Sequence, residues 1–150
     1  LEGFTAPLAD RRGVASHRAS TLEGDMAWFD GMLGNASRVA DAEAQKEFAG
    51  ILSTDEKVIA SYKLIRDFVV FTDLRLIMVD KQGLTGKKIE YHSMPYKSIS
   101  HFAVETAGTF DLDAELKIWV GASVLPIERK FNKQVNIYEV QSILAKAVCG

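Results

Sequence analysis

Gly83-Leu84-Thr85-Gly86-Lys87-Lys88 is the stretch whose residue types come nearest to phosphate chemistry. A nucleotide-binding loop of the form G-x-x-x-x-G-K-S/T cradles phosphates on backbone N–H groups and holds magnesium with the final hydroxyl. Here only Leu84 and Thr85 separate the glycines, and Lys88 stands where the hydroxyl should be. The segment therefore reads as a turn. Asp111, Asp113 and Glu115 gather acid as a calcium loop would, but without the glycine and the terminal glutamate of an EF-hand they read as a solvated loop entering a strand. His17, His92 and His101 share no ligand spacing, and neither a serine nor Cys149 has an acid–base partner recognisable by motif. The remaining candidates are cations. Lys63, Arg66, Lys87 and Lys88 could contact an anion, with Asp67 beside them to oppose it. No catalytic residue, cofactor or metal site is expected from these patterns.

The elements that must position these residues centre on Phe68 to Asp80, FVVFTDLRLIMVD. Two short runs rich in β-branched and aromatic side chains flank Thr72-Asp73-Leu74-Arg75, which predicts an antiparallel hairpin. Extending it in both directions predicts about seven strands at the spacing of a β-barrel or sandwich: 57–65, 68–72, 75–81, 87–94, 99–106, 115–120 and 125–131. In the sixth, Leu116, Ile118 and Val120 share one face, and Glu115, Lys117 and Trp119 the other. In the seventh, Leu125, Ile127 and Phe131 are expected to point inward. A closing helix over 133–148 carries an Ile137/Val140/Leu144/Val148 stripe for the open end of the barrel. Ahead of the strands, 26–33 places Trp28, Phe29, Met32 and Leu33 on one helical face. A second helix from Asp41 to about Ile51 is expected to take Asp41 as its cap. Residues 1–25 lack periodicity and read as a tail outside the core, added by cloning or by upstream translation, with a domain over 26–150.

Composition narrows the classes. Of 150 residues, 47% are hydrophobic and 25% charged, enough to close a core. A formal net charge of −2 disfavours a polyanion such as nucleic acid as the main partner. One cysteine excludes an internal disulfide framework, and the absence of a long apolar run makes a cytoplasmic protein the default expectation.

FTDLRLIMVDKQGLTGKKIEY, YKSISHFAVETAGTFDLDAELKIW, GMLGNAS and the closing VNIYEVQ resemble the bacterial pleckstrin-homology (PH) family, once catalogued as a domain of unknown function. The resemblance spans about residues 26–148. It implies a mainly β fold with a C-terminal capping helix, and cyclic homo-oligomers, fivefold being one count it suggests. Phosphoinositide-binding relatives carry several basic residues around the first hairpin. Lys63 and Arg66 with an immediate Asp67 make a poor version, so specific phosphoinositide binding is not expected. The reading that follows is a non-enzymatic, self-assembling scaffold or adaptor that also meets an unidentified protein partner. A membrane-surface or small-ligand module is the alternative. Trp119 is the main interface candidate, together with Trp28, Phe29, Met32 and Leu33, since large outward aromatics serve subunit contacts. Cover for Trp119 from the N-terminal helices of its own chain is the competing explanation.

Overall fold

The computed structural model describes residues 38–83 and 87–150. Among the described residues, eight antiparallel strands form two sheets. The first runs in the order β1 (Arg38–Val39), β2 (Val58–Lys63), β3 (Phe68–Thr72), β4 (Arg75–Gln82), β5 (Lys88–Pro95). A 3-10 turn, Tyr96–Ser98, leads into the second: β6 (Ile99–Glu105), β7 (Ala114–Val120), β8 (Ile127–Phe131). Helix α1 (Asp41–Glu47) lies between β1 and β2, and helix α2 (Ile137–Cys149) follows β8.

The expected hairpin is β3–β4, paired from Phe68↔Val79 to Phe71↔Leu76. Its strands look continuously apolar rather than alternating because both faces are covered. Val69, Phe71, Leu76 and Met78 enter the main core, while Phe68, Val70, Ile77 and Val79 on the other face are equally buried. Phe48, just past α1, meets Phe68 edge-on at 5.9 Å. Between the sheets, Tyr62 makes edge contacts with Phe71 at 6.0 Å and with Phe131 at 5.8 Å, tying β2 and β3 to β8. Helix α2 closes the barrel with the stripe expected of it: Ile137, Val140 and Leu144 are buried, and Val148 packs against the same cluster.

Several boundaries differ, each for a local reason. An eighth strand, β1, is only two residues long and carries no periodic signal. Leu64 to Asp67 form a turn closed by the Leu64 N–H donating to the Asp67 carbonyl at 2.8 Å, which ends β2 at Lys63 rather than at Ile65. Asp41 does not cap α1. Ala40 is the cap, without a side-chain bond, and Asp41 instead pairs with Arg38 at 3.0 Å. Helix α1 stops at Glu47, short of the expected Ile51. Helix α2 begins at Ile137, four residues later than expected, because Asn132 to Val135 make a turn and the Asn136 carboxamide accepts from Tyr138 N at 3.2 Å as the true cap. Leu125, expected inward, is 77% exposed. The chain turns at Gly121 in the left-handed region (φ +57°), Pro126 offers no N–H, and ladder pairing of β8 begins only at Ile127↔Ile118. The helix expected over 26–33 and the tail expected over 1–25 lie outside the described residues.

Candidate self-association surface

The outer face of the second sheet follows from the alternation along β7. Leu116 and Ile118 are fully buried, whereas Glu115, Lys117 and Trp119 point outward and are half-buried. At one end of this face Lys117 reaches Glu105 at 3.5 Å and Glu115 at 3.4 Å, and Lys130 reaches Glu115 at 3.2 Å. Lys130 first, then Lys117, hold the Glu115 carboxyl below its ordinary range. Exposed pairs of this kind add little to stability but keep that end polar.

The other end is aromatic. Trp119 stacks on His101, its register partner on β6, with ring centroids 4.3 Å apart and planes 16° from parallel. The indole N–H donates to the Val124 carbonyl at 3.3 Å, and Ser100 Oγ donates to the Trp119 carbonyl at 3.1 Å. The first bond holds the indole ring and the second holds the backbone that carries it. Beside it the β7–β8 turn leaves Val124 and Leu125 88% and 77% exposed. A held indole next to two open aliphatic side chains is a small, preorganised apolar platform. The His101–Trp119 pair was not read from the sequence. It requires the register shift between Ile99 and His101, and only the alternation of β7 hinted at it.

The cations fall into two environments. Lys63 is only 3% exposed, its ammonium has no hydrogen-bond partner, and burial pushes its pKa down, so it is not a solvated strand end. Arg66 donates to the Gly83 carbonyl at 3.2 Å, bringing the β2–β3 turn against the β4–β5 connection, where Lys87 and Lys88 are exposed. Asp67 lies at the same end. Burial, then the neighbouring Asp80 carboxylate, raise its pKa, while Arg129 and the Lys81 N–H oppose the shift. Trp28, Phe29, Met32, Leu33 and His17 lie outside the described residues. Among the described residues no group of three or more His, Cys, Asp or Glu is placed to hold a metal ion, and no helix is long and apolar enough to cross a membrane.

A second feature that sequence reasoning missed is a polar lock around Glu56. Its buried carboxylate accepts from Arg75 Nε at 2.9 Å and Nη2 at 3.0 Å, from Ser53 N at 2.8 Å and Oγ at 2.9 Å, and from Thr72 Oγ1 at 2.7 Å. Arg75 continues to the Ile51 carbonyl and to Ser93 Oγ, both at 2.7 Å. Arg75 above all, aided by Ser53 and Thr72 against the cost of burial, holds the Glu56 pKa at about 2. Such a network fixes the chain after α1 to the β3–β4 turn and to β5. Arg75 makes four bonds within the protein, to Glu56, Ile51 and Ser93, which is the pattern of a structural network.

Known proteins agree with this architecture. Residues 27–148 match the family described as "Bacterial PH domain". The chain is 58% identical over 125 residues to the Bacillus subtilis (strain 168) uncharacterized protein YjqA, covering 83% of this chain and 99% of that one. It is 34% identical over 116 residues to YozO of the same organism, also uncharacterized, covering 77% and 96%. A crystal structure of a DUF1696 family protein with a pleckstrin-homology domain from Shewanella loihica PV-4 superposes with a TM-score of 0.69 at 46% identity, over 77% of this chain and 98% of that one. A pleckstrin homology domain from Shewanella amazonensis SB2B gives 0.66 at 45% identity, over 82% and 99%. With two sheets closed by α2, and a family match that spans most of its length, the chain belongs to the bacterial PH domain family.

Proposed function

We propose that this bacterial PH domain is a non-enzymatic scaffold or adaptor module that works by associating with copies of itself. The observation that carries the reading is the platform at Trp119. An indole stacked on His101 and pinned to the Val124 carbonyl sits beside exposed Val124 and Leu125, on a sheet face with no other evident task. Aromatic residues with few soft rotamers and a satisfied polar atom are what protein interfaces use as anchors. The edge of β5 supports the same reading. Among the described residues this strand pairs only with β4, and an eight-residue edge invites pairing or cover. A contact between two different surfaces of successive copies closes into a ring when the rotation allows.

Light scattering on wild type and Trp119→Ala tests this. Wild type is expected to be oligomeric at micromolar concentration. Trp119→Ala, which removes an interface anchor of about 2 kcal/mol, should shift mass toward monomer while its circular dichroism stays unchanged. A monomeric wild type refutes self-association, and a variant of undiminished mass moves the interface away from Trp119.

A further inference from the structure

Under the last turns of α2 lies a cleft of about 460 Å³. Ile59, Tyr96, Ile143 and Ala147 supply its apolar lining, and Asp73 and Lys146 its charges. Tyr96 Oη donates to the Thr72 carbonyl at 2.6 Å, so its polar hydrogen is engaged and its ring remains as apolar wall. A volume of this size is in the range that takes a small molecule, roughly 300–1,000 Å³.

The two charges are the informative part. Asp73, in the β3–β4 turn, accepts from Lys57 N at 2.9 Å through Oδ1, and its own N–H donates to the Lys57 carbonyl at 3.0 Å. These bonds hold the carboxylate in position while its negative charge and its second oxygen remain available. Lys146 stands in the last turn of α2. Neither residue has an ion-pair partner among the described residues, so the two line one cleft without bridging each other. Glu56, the other carboxylate that acts on Tyr96, is paired with Arg75 at 2.9 Å. The carbonyls that end α2 add only a partial negative charge.

We propose that this cleft binds a free α-amino acid with a large apolar side chain, its ammonium on Asp73, its carboxylate on Lys146 and its side chain against the apolar wall. The occupant must carry both charges. An apolar acid would bring its carboxylate toward Asp73, and an apolar amine would bring its ammonium toward Lys146; each like-charge contact disfavours that ligand. A neutral apolar molecule would take both charges out of water and pair neither. A zwitterion answers each with a charge-assisted hydrogen bond of about 2.7–2.9 Å, while its side chain leaves water for Ile59, Tyr96, Ile143 and Ala147. The cleft is built from one chain, so the proposal stands independently of self-association.

Isothermal titration calorimetry on the full chain, in whatever assembly it forms, tests this with leucine, phenylalanine, N-acetylleucine, leucinamide and glycine. Leucine and phenylalanine should bind saturably, one per chain. N-acetylleucine lacks the ammonium, leucinamide lacks the carboxylate and glycine lacks the side chain, so each should bind at least tenfold more weakly. Asp73→Asn keeps an Oδ1 acceptor for Lys57 N, yet it should erase the preference for leucine over N-acetylleucine. Lys146→Gln should erase the preference for leucine over leucinamide. Ala147→Trp, which fills the cleft, should abolish binding of both amino acids. Thermal melts show that each variant is folded; if Ala147→Trp does not fold, the ligand series and the two charge variants decide. No saturable binding of either amino acid at millimolar concentration overturns the proposal. N-acetylleucine or leucinamide binding as tightly as leucine overturns it as well, because one charge then suffices. Wild-type affinity for leucine in both charge variants places any binding elsewhere and equally overturns it.

Discussion

Two carboxylates show how side chains of one type take opposite parts in this barrel. Glu56 is buried but receives five hydrogen bonds, and Arg75 dominates in holding its pKa at about 2, below the ordinary 4.5. Its folded pKa is depressed, so the stabilisation is present above about pH 4.5 and is lost as pH falls toward 2. Glu56→Ala, which leaves Arg75 without its partner, should cost about 3 kcal/mol at neutral pH by urea denaturation. The gap between variant and wild type should close on acidification. Asp67 behaves in the reverse sense. Burial, then Asp80, raise its pKa, so the folded state favours the protonated form and carries a penalty once pH rises above the ordinary carboxylate range. Asp67→Asn is therefore expected to raise the urea midpoint at neutral pH and to lose that advantage in acid. A lower midpoint at neutral pH would mean that the contacts with Arg129 and the Lys81 N–H outweigh the penalty.

At the scale of elements, α2 shows what an amphipathic pattern does and does not specify. Its stripe at 3- and 4-residue spacing must face apolar cover, and Ile137, Val140 and Leu144 are buried accordingly. Leu144→Ala should cost about 2–5 kcal/mol in chemical denaturation, since the helix closes the barrel and its neighbours cannot collapse fully into the gap. An unchanged midpoint would contradict this packing. The turns at the far end bear on lipid. Lys63 is buried and Arg66 is bonded to Gly83, leaving exposed Lys87 and Lys88 with Asp67 nearby. Vesicles bearing phosphorylated inositides are thus expected to capture the protein no better than charge-matched phosphatidylserine vesicles. Saturable, headgroup-selective capture abolished by Lys87→Glu with Lys88→Glu would reverse that expectation.

For the whole molecule, the amino-acid sequence by itself determined the strand count to within one, the β3–β4 hairpin, the outward face of Trp119 and the orientation of α2. These follow from local periodicity and turn chemistry, which act over a few residues and leave their mark in the order of side chains. It also carried enough of the family's pattern to point to a bacterial PH domain. Tertiary structure alone decided the rest. Glu56 and Arg75 are 19 residues apart, and no local spacing shows that they bond. His101 meets Trp119 through a shifted register, and Leu125 leaves the core because β8 pairing starts two residues later. Lys63 has the look of a strand-end cation in sequence, yet the fold buries it. Contacts of long sequence separation are set by closure of the barrel, which single-chain periodicity does not encode.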